Sequence, residues 1–487
     1  MRSARLTRAA RLSPAARLSR AARLSRAALF TVLLLTIGTA CTSSAGGHDE
    51  AARPGAASAG DALFPALGNR GYDVAHYGLT LDYVPETNEL AGTAVITARA
   101  EQPLSGFSLD LAGLSVRDAS IDGADAEVRS KKNKLTLTPA HPLKTGATFT
   151  TTVHYSGTPK MITDADEGVE GWIETDDGAT ALGEPSGSMA WFPGNHHPSD
   201  KALYDITITV PKDYTAVSNG ELTGRWDKGR HTTSRWHIGE PMASYVATVV
   251  VGSFDISTTT TAQGLPVYIA IDPDEVEDSP DMTELIPDII DWASSRFGRY
   301  PFASTGAIVD HLPDLEYALE TQTKPYFEKA PEETLVVHEL AHQWFGDSLT
   351  PRSWQDMWLN EGFATYAEWL WQEDQGDTTA DEIFDAFYDG THPESKGIWD
   401  FPPAQPPSAK QVSDSPVYGR GAMTLHRLRE TVGDKSFFTI LKTWTTQHRY
   451  GNAHTSQFIK LCEKESGMDL TELFDTWLYS KGKPNLA

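Results

Sequence analysis

The sequence reads HELAHQWFGD at residues 338–347 and WLNEGFATY at residues 358–366, and these two stretches decide the fold of the second half of the chain. His338 and His342 are four residues apart, so on a helix both side chains lie on one face and both imidazoles reach one metal ion. Apolar residues at helical spacing surround the motif, and Gly346 fits the end of such a helix. The spacing therefore predicts a helix that carries two metal ligands.

The second stretch predicts a third ligand. Glu361 follows His342 by nineteen residues, and two helices joined by a loop of this length can fold back antiparallel, which places Glu361 beside the histidines. Two histidines and one glutamate leave a fourth position of zinc open, as in catalytic rather than structural sites. Glu339 follows His338 directly and is not placed to share the ion, so it is predicted to act as a general base toward water. We expect one zinc ion per chain.

Glu368 lies seven residues beyond Glu361 on the same predicted helix. A carboxylate at this position can accept a hydrogen bond from the second ring nitrogen of a ligand histidine, which fixes the orientation of the ring. The alternative is a solvated carboxylate on the helix surface, and the sequence leaves both interpretations open.

The rest of the chain predicts an α+β protein. From Tyr72 to Gly252, short alternating runs such as YGLTLDY, TAVITAR and YDITITVP are rich in Thr, Val, Ile and Tyr, which is typical of strands. Beyond Pro280, apolar residues recur at helical spacing. We therefore expect an N-terminal multi-stranded β domain over residues 69–256, followed by a mainly helical catalytic domain over residues 257–487.

The first residues have the order of an export signal. An Arg-rich stretch precedes the apolar run Ala27–Ile37, which small residues and Cys41 follow. The run is shorter than the about 20 residues that span a bilayer. We expect residues 1–41 to form a signal peptide whose end resembles a bacterial lipobox, with a lipid on Cys41 that attaches the protein to the outer face of the cell membrane. Simple secretion and a retained anchor are the alternatives. Residues 42–68, rich in Ala, Gly and Ser, predict a flexible linker.

Charge and cysteine content exclude other classes of protein. The formal net charge is −25 although residues 1–40 carry eight Arg and no Asp or Glu. Such an acidic body is not expected to bind nucleic acid, which requires a basic face. The only cysteines are Cys41 and Cys462, so no thiolate zinc cluster is expected, and with a lipid on Cys41 no disulfide framework is expected either. The sequence does not indicate the oligomeric state.

Three motifs in order, HELAHQWFGD, WLNEGFATY and YGRGAM (residues 418–423), resemble those of the M1 family of zinc aminopeptidases, a branch of the gluzincins. The segment WFPGNHHPSDKALYDITITVP at residues 191–211 resembles the family's β domain, and the resemblance extends over residues 70–487. It implies a thermolysin-like catalytic domain and the same metal ligands and base as the spacing does. The chain departs from many members in stopping at Ala487, soon after the predicted catalytic helices, so we expect a short form without their large helical C-terminal domain and with a more open cleft.

Three further residues are assigned by the resemblance alone. Tyr418 matches the family tyrosine that donates a hydrogen bond to the oxyanion, where a placed donor is most effective. The family motif Gly-x-Met-Glu-Asn appears in altered form as YALET at residues 317–321, in which Glu320 keeps the carboxylate that binds the substrate's N-terminal ammonium. The element Gln-x-Glu-Pro becomes LGEP at residues 182–185 and retains Glu184. Two carboxylates can hold one ammonium group.

The resemblance implies an aminopeptidase that removes N-terminal residues from peptides with a free α-amine, and the leader predicts that this enzyme is exported. Because both amine-binding elements are altered, a zinc endopeptidase built on the same site is the nearest alternative. A surface binding protein with a degenerate, metal-free site is a third, which the intact ligands and base disfavour.

Overall fold

The structure is a computed structural model that describes residues 51–163, 168–312, 315 and 317–486. Cys41 and the predicted signal peptide lie outside the described residues. None of the helices in the described part of the chain combines the length and the apolar character of a membrane span.

The first part of the described chain consists mainly of strands. These strands are β1 (Arg53–Pro54), β2 (Tyr72–Val84), β3 (Glu89–Ala100), β4 (Leu104–Asp110), β5 (Ser115–Ile121), β6 (Ala124–Asp125), β7 (Glu127–Lys131), β8 (Lys134–Thr138), β9 (Thr148–Gly157), β10 (Met161–Thr163), β11 (Val169–Glu174), β12 (Ala179–Leu182), β13 (Lys201–Pro211), β14 (Thr215–Ser218), β15 (Glu221–Lys228), β16 (His231–Ala243) and β17 (Val249–Gly252).

The largest sheet of the described residues has the strand order β15-β16-β13-β2-β3-β9-β5-β6. Smaller sheets have the orders β1-β4-β8-β7 and β10-β11-β12-β17-β14. In β2, buried and exposed residues alternate because successive side chains point to opposite faces. A register shift between Val74 and His76 changes the phase of this alternation, and Tyr77 is buried after it.

The second part of the described chain is mainly helical. Its helices are α1 (Met282–Phe297), α2 (Glu333–Ala341), α3 (Trp358–Gln375), α4 (Ala380–Asp389), α5 (Gly421–Val432), α6 (Asp434–Gln447), α7 (Thr455–Ser466) and α8 (Thr471–Phe474). Its strands are β18 (Asp255–Thr260), β19 (Pro266–Ile271), β20 (Thr305–Val309), β21 (Tyr326–Phe327), β22 (Thr350–Pro351) and β23 (Asn452–Ala453). The predicted fold class is confirmed, since a multi-stranded β region precedes a mainly helical one. The predicted division at residues 256 and 257 stays a prediction.

Helix α3 is the centre of the helical part. It packs against both α2 and α5. Gly362 of α3 and Gly421 of α5 meet backbone to backbone, since a Cβ added at Gly362 would lie 2.9 Å from Cα of Gly421. This close approach brings the turn that precedes α5 next to Glu361, the neighbour of Gly362.

The segment predicted as a flexible linker is fixed to the folded body over its described residues 51–68. Strand β1 pairs with β4, and the backbone N–H of Gly55 donates to the carbonyl of Gly106 at 2.9 Å. Leu67 and Asp61 are buried. The Ala, Gly and Ser content suggested flexibility, but these long-range contacts, which composition does not reveal, order this part of the segment.

Candidate active site

Helices α2 and α3 supply the predicted metal ligands. Helix α2 ends at Ala341, so His342 stands at its C-terminal cap and Gly346 lies beyond the helix rather than at its end. Gly346 instead gives His342 space, because a Cβ added there would lie 3.1 Å from Nδ1 of His342, and its φ of 138° disfavours other residues. The four-residue spacing still brings the two imidazole rings together, with centroids 4.8 Å apart.

The side chains of His338, His342 and Glu361 converge on one point. Nε2 of each histidine lies 3.3 Å from Oε2 of Glu361, and the three residues offer donor atoms that all lie within 4.8 Å of one another. All three are buried. Two imidazole nitrogens and one carboxylate oxygen match the donor set of a catalytic zinc site, so these residues fit one zinc ion.

The other ring nitrogen of each histidine is held by a hydrogen bond. Nδ1–H of His338 donates to Oε1 of Glu368 at 2.6 Å, and Nδ1–H of His342 donates to the backbone carbonyl of Phe345 at 2.9 Å. With Nδ1–H held by these acceptors, Nε2 of both rings faces Glu361 and is the nitrogen that would bind a metal. Of the two interpretations of Glu368, the hydrogen-bonded one describes its position.

The electrostatics of this cluster favour a cation. Burial alone lowers the pKa of His342, but the charges of Glu361 and Glu320 outweigh it and raise this pKa to about 10. Burial raises the pKa of Glu361, but the two histidines hold it below its ordinary value. Positive charge is therefore stabilised at the point where the ligand atoms meet.

Glu339 lies beside His338, His342 and Glu361 but does not belong to this group of metal donors. It is buried, and its Oε2 has no hydrogen-bond partner among the described residues. Burial raises its pKa to about 8, although the positive charges of His338 and His342 oppose the shift. A buried carboxylate with an unpaired oxygen and a pKa near neutrality is suited to accept a proton.

Tyr418 lies in a short π-helical turn, Pro416–Arg420, at the start of α5. Its ring stacks on that of His338 at a centroid distance of 6.2 Å. Burial raises the pKa of Tyr418 well above its ordinary value, and Glu361 and other carboxylates add to this effect, so the hydroxyl stays protonated and can donate. Arg420, two residues on, donates to the backbone carbonyls of Trp477 and Ser480 at 2.9 and 2.6 Å, which ties this turn to the end of the described chain.

Glu184 and Glu320 reach the same cleft from outside the helices. Their carboxylates and that of Glu361 offer oxygens that all lie within 4.8 Å of one another. Burial raises the pKa of Glu320, and burial together with the charge of Glu320 raises that of Glu184. Oε1 of Glu320 is buried without a partner among the described residues. Such a pair of repelling carboxylates is relieved by a bound cation.

The structure thus brings all the predicted site residues except Cys41, which lies outside the described residues, into one cleft of about 700 Å³. Phe64 and Glu394 are among the lining residues that sequence reasoning missed. Phe64 has a local signal, because it stands in the apolar run ALFPAL within a segment that is otherwise rich in small residues. We find no such signal for Glu394.

Comparison with known proteins agrees with this geometry. The model of the peptidase M1 N-terminal domain matches residues 74–246, and the model of the peptidase family M1 domain matches residues 315–477. The chain is similar to glutamyl aminopeptidase from Bos taurus, with 28% identity over 336 residues that cover 62% of this chain and 34% of the relative. The chain therefore spans about a third of the length of the curated relatives it matches.

Solved structures match over a greater share of their length. The M1 zinc metallopeptidase from Deinococcus radiodurans has a TM-score of 0.80 and 30% sequence identity, and the match covers 88% of this chain and 98% of that one. A mutant of that protein bound to a Tyr-Ser-Ala substrate has a TM-score of 0.81 and 29% identity, with 88% and 99% of the two chains covered. The matched domains, their order and the 30% identity over nearly a whole solved chain show that this protein belongs to peptidase family M1.

Proposed function

We propose that the protein is a zinc-dependent aminopeptidase that hydrolyses the first peptide bond of peptides with a free α-amine. The observation that carries this proposal is the short distance from the carboxylates of Glu184 and Glu320 to the carboxylate of Glu361. Oxygens of Glu184 and Glu320 lie within 4.8 Å of an oxygen of Glu361, which itself borders both histidines. An extended residue spans at most about 3.6 Å, so an α-amine held by Glu184 and Glu320 would leave the first peptide bond, and no later one, beside the metal donors.

In this proposal His338, His342 and Glu361 would hold zinc. When bound, zinc supplies Lewis acidity, which acidifies water and polarises a carbonyl group. Glu339 would take the proton from the attacking water at its unpaired carboxylate oxygen and later pass a proton to the leaving amine. Burial of Glu339 supports this role because a raised pKa makes the ionised carboxylate a stronger proton acceptor.

Tyr418 would act on the other side of the scissile bond. Its protonated hydroxyl would donate a hydrogen bond to the carbonyl oxygen as negative charge develops there. Its ring lies nearly parallel to that of His338, at a centroid distance of 6.2 Å, so the side chain stands beside one of the metal ligands. Glu184 and Glu320 would hold the substrate's ammonium group and so align the first peptide bond between Glu339 and Tyr418.

Peptides as the substrate class are supported by the related Deinococcus radiodurans structure that holds a Tyr-Ser-Ala substrate. The decisive experiment compares one peptide with a free N-terminus and the same peptide with an N-acetyl group. We expect wild-type protein to cleave the free peptide at its first bond and to leave the acetylated one intact, and we expect a chelator to abolish cleavage. Equal rates for the two peptides, or cleavage at an internal bond, would point to the endopeptidase alternative.

A variant separates amine binding from folding. Glu320→Gln keeps the shape of the side chain and removes its charge, so we expect a higher KM for free peptides with zinc content unchanged. Protein that contains no zinc after purification from zinc-supplied cells, and whose Glu339→Gln variant behaves like wild type, would favour the metal-free binding protein instead.

The place of action is a separate part of the proposal. We infer from the leader that the protein is exported and held at the outer face of the cell membrane by a lipid on Cys41. Metabolic labelling with an alkyne fatty acid tests this inference. We expect label in the wild-type protein and none in Cys41→Ala, and labelling of neither protein would leave simple secretion as the better account.

A further inference from the structure

The N-terminal segment of the described chain forms part of the wall of the catalytic cleft. Phe64 lies ten residues before the matched N-terminal domain, which begins at residue 74. Its side chain nevertheless lines the cleft together with Pro185, Glu184 and Glu320. No role in the proposed reaction explains an aromatic side chain at this position.

Asp61 holds the turn that carries Phe64. One oxygen of its carboxylate accepts hydrogen bonds from the backbone N–H groups of Leu63 and Phe64 at 2.8 and 3.0 Å. The other oxygen accepts hydrogen bonds from the hydroxyl of Ser353 and the backbone N–H of Trp354, both at 3.0 Å. The same carboxylate thus shapes the turn and joins it to the approach to α3, so Phe64 has a defined position relative to the metal ligands.

A row of aromatic rings connects Phe64 with the surroundings of the amine-binding carboxylates. The ring centroid of Phe64 lies 5.5 Å from that of Trp354, which lies 5.3 Å from that of Tyr245. The backbone carbonyl of Tyr245 lies against Gly183, the neighbour of Glu184, since a Cβ added at Gly183 would overlap it. The row of rings therefore runs from Phe64 toward the loop that carries Glu184, which is the side of the cleft where the substrate's first residue would be bound.

The chemistry of the cleft indicates which side chains this end would accept. None of the described residues that line it is Lys or Arg, so no fixed cation would pair with an acidic side chain. The carboxylates that line it would repel such a side chain. Pro185, which follows Glu184 in the chain, and Phe64 provide apolar surface in this cleft, which favours an apolar or aromatic partner.

We propose that Phe64 contacts the side chain of the substrate's first residue and gives the protein a preference for peptides with an apolar or aromatic N-terminal residue. This inference rests on the proposed aminopeptidase function. It assigns a specificity-determining contact to a segment that precedes both matched family domains.

The test measures kcat/KM for aminoacyl amide substrates that differ only in the first residue: Phe, Leu, Ala and Glu. We expect wild-type protein to prefer Phe and Leu over Ala and to cleave the Glu substrate most slowly. Phe64→Ala is expected to lower kcat/KM about tenfold or more for Phe and Leu, because truncation leaves part of an apolar side chain without a partner, and less than about threefold for Ala. Phe64→Leu should retain most of the preference.

Leu63→Ala is the matched control, since Leu63 belongs to the same turn and is not among the lining residues. We expect it to keep the wild-type order of substrates. Zinc content and thermal midpoint, measured for each variant, separate loss of contact from loss of fold, and Phe64→Leu provides a reading if Phe64→Ala does not fold.

Two results would overturn the inference. One is an equal loss for all four substrates in Phe64→Ala, or an equal change of preference in Leu63→Ala, because either would indicate a structural role of the turn. The other is a wild-type protein that cleaves aminoacyl substrates but prefers Glu or shows no preference. A wild-type protein that contains zinc and cleaves none of the substrates would instead contradict the proposed function itself.

Discussion

Replacing Glu368 by Ala is expected to weaken zinc binding without removing a metal ligand. The carboxylate of Glu368 accepts a hydrogen bond from Nδ1–H of His338 at 2.6 Å, and its side chain is 25% exposed. A hydrogen bond to a charged group contributes about 1.5–3 kcal/mol, and partial exposure favours the lower half of this range. At about 1.4 kcal/mol for each factor of ten, the zinc dissociation constant should rise by about tenfold to fortyfold.

The geometry of the two histidines makes this prediction specific to one ligand. His342 donates to the backbone carbonyl of Phe345, which no substitution deletes, whereas His338 depends on a side chain. Glu368→Gln retains an oxygen that can accept the bond, so we expect its effect on zinc affinity to lie between those of wild type and Glu368→Ala. The graded series therefore reports on the hydrogen bond rather than on the loss of charge alone.

The assay is competition for zinc between the apoprotein and a chelator of known affinity. Glu373→Ala is a matched control, because Glu373 lies on the same helix but contacts Arg429, at 2.8 Å, rather than a metal ligand. We expect Glu373→Ala to bind zinc as wild type does. Equal zinc affinity of wild type and Glu368→Ala would refute the argument that Glu368 orients His338 for the metal.

Three further predictions concern Glu339, Tyr418 and Asp61. Glu339→Gln should retain zinc and lose about 10²–10⁴ in kcat, because the amide cannot accept the proton of water; unchanged kcat would exclude Glu339 as the base. Tyr418→Phe should lower kcat by about 10²–10³ with little change in KM, and an effect confined to KM would contradict a role at the developing oxyanion. Burial raises the pKa of Asp61, but hydrogen bonds from His197 and from three backbone N–H groups outweigh it and lower this pKa well below its ordinary value. The stability that ionised Asp61 contributes, of the order of 2 kcal/mol, is therefore present above about pH 4 and lost as the pH falls. Urea unfolding of wild type and Asp61→Asn should show a difference in midpoint at pH 7 that shrinks toward pH 3, and a constant difference would contradict the assignment.

Local periodicity is the reason why the sequence predicts the centre of the site. The spacing of His338 and His342 places both on one helix face whatever the rest of the chain does. The distance in sequence to Glu361 fits two packed helices, and α2 and α3 pack in this way. In contrast, the end of α2 at Ala341 depends on contacts of the following turn. The prediction that Gly346 ends this helix was therefore wrong, although Gly346 does lie next to His342.

Contacts between distant parts of the chain lie beyond such reasoning. The segment with Asp61 has the composition of a linker, yet hydrogen bonds to Ser353 and Trp354, nearly three hundred residues away in the chain, order it. Composition measures local preference and carries no information about partners so distant in sequence. The close approach of Gly362 and Gly421 is a similar case, because each glycine alone reads as a weak point of a helix.

The buried carboxylates of the site explain why a bound zinc ion and the ammonium group of the substrate would act together. Burial raises the pKa values of Glu184, Glu320 and Glu339, and repulsion between these groups and Glu361 adds to each shift. A zinc ion beside Glu361 and an ammonium group beside Glu320 would each reduce this repulsion, and each would favour the ionised form of Glu339. A peptide whose amine is blocked would therefore lose its contact with Glu184 and Glu320, and the pKa of Glu339 would also stay higher. In this proposed site, recognition of the free N-terminus and activation of the base depend on one electrostatic field.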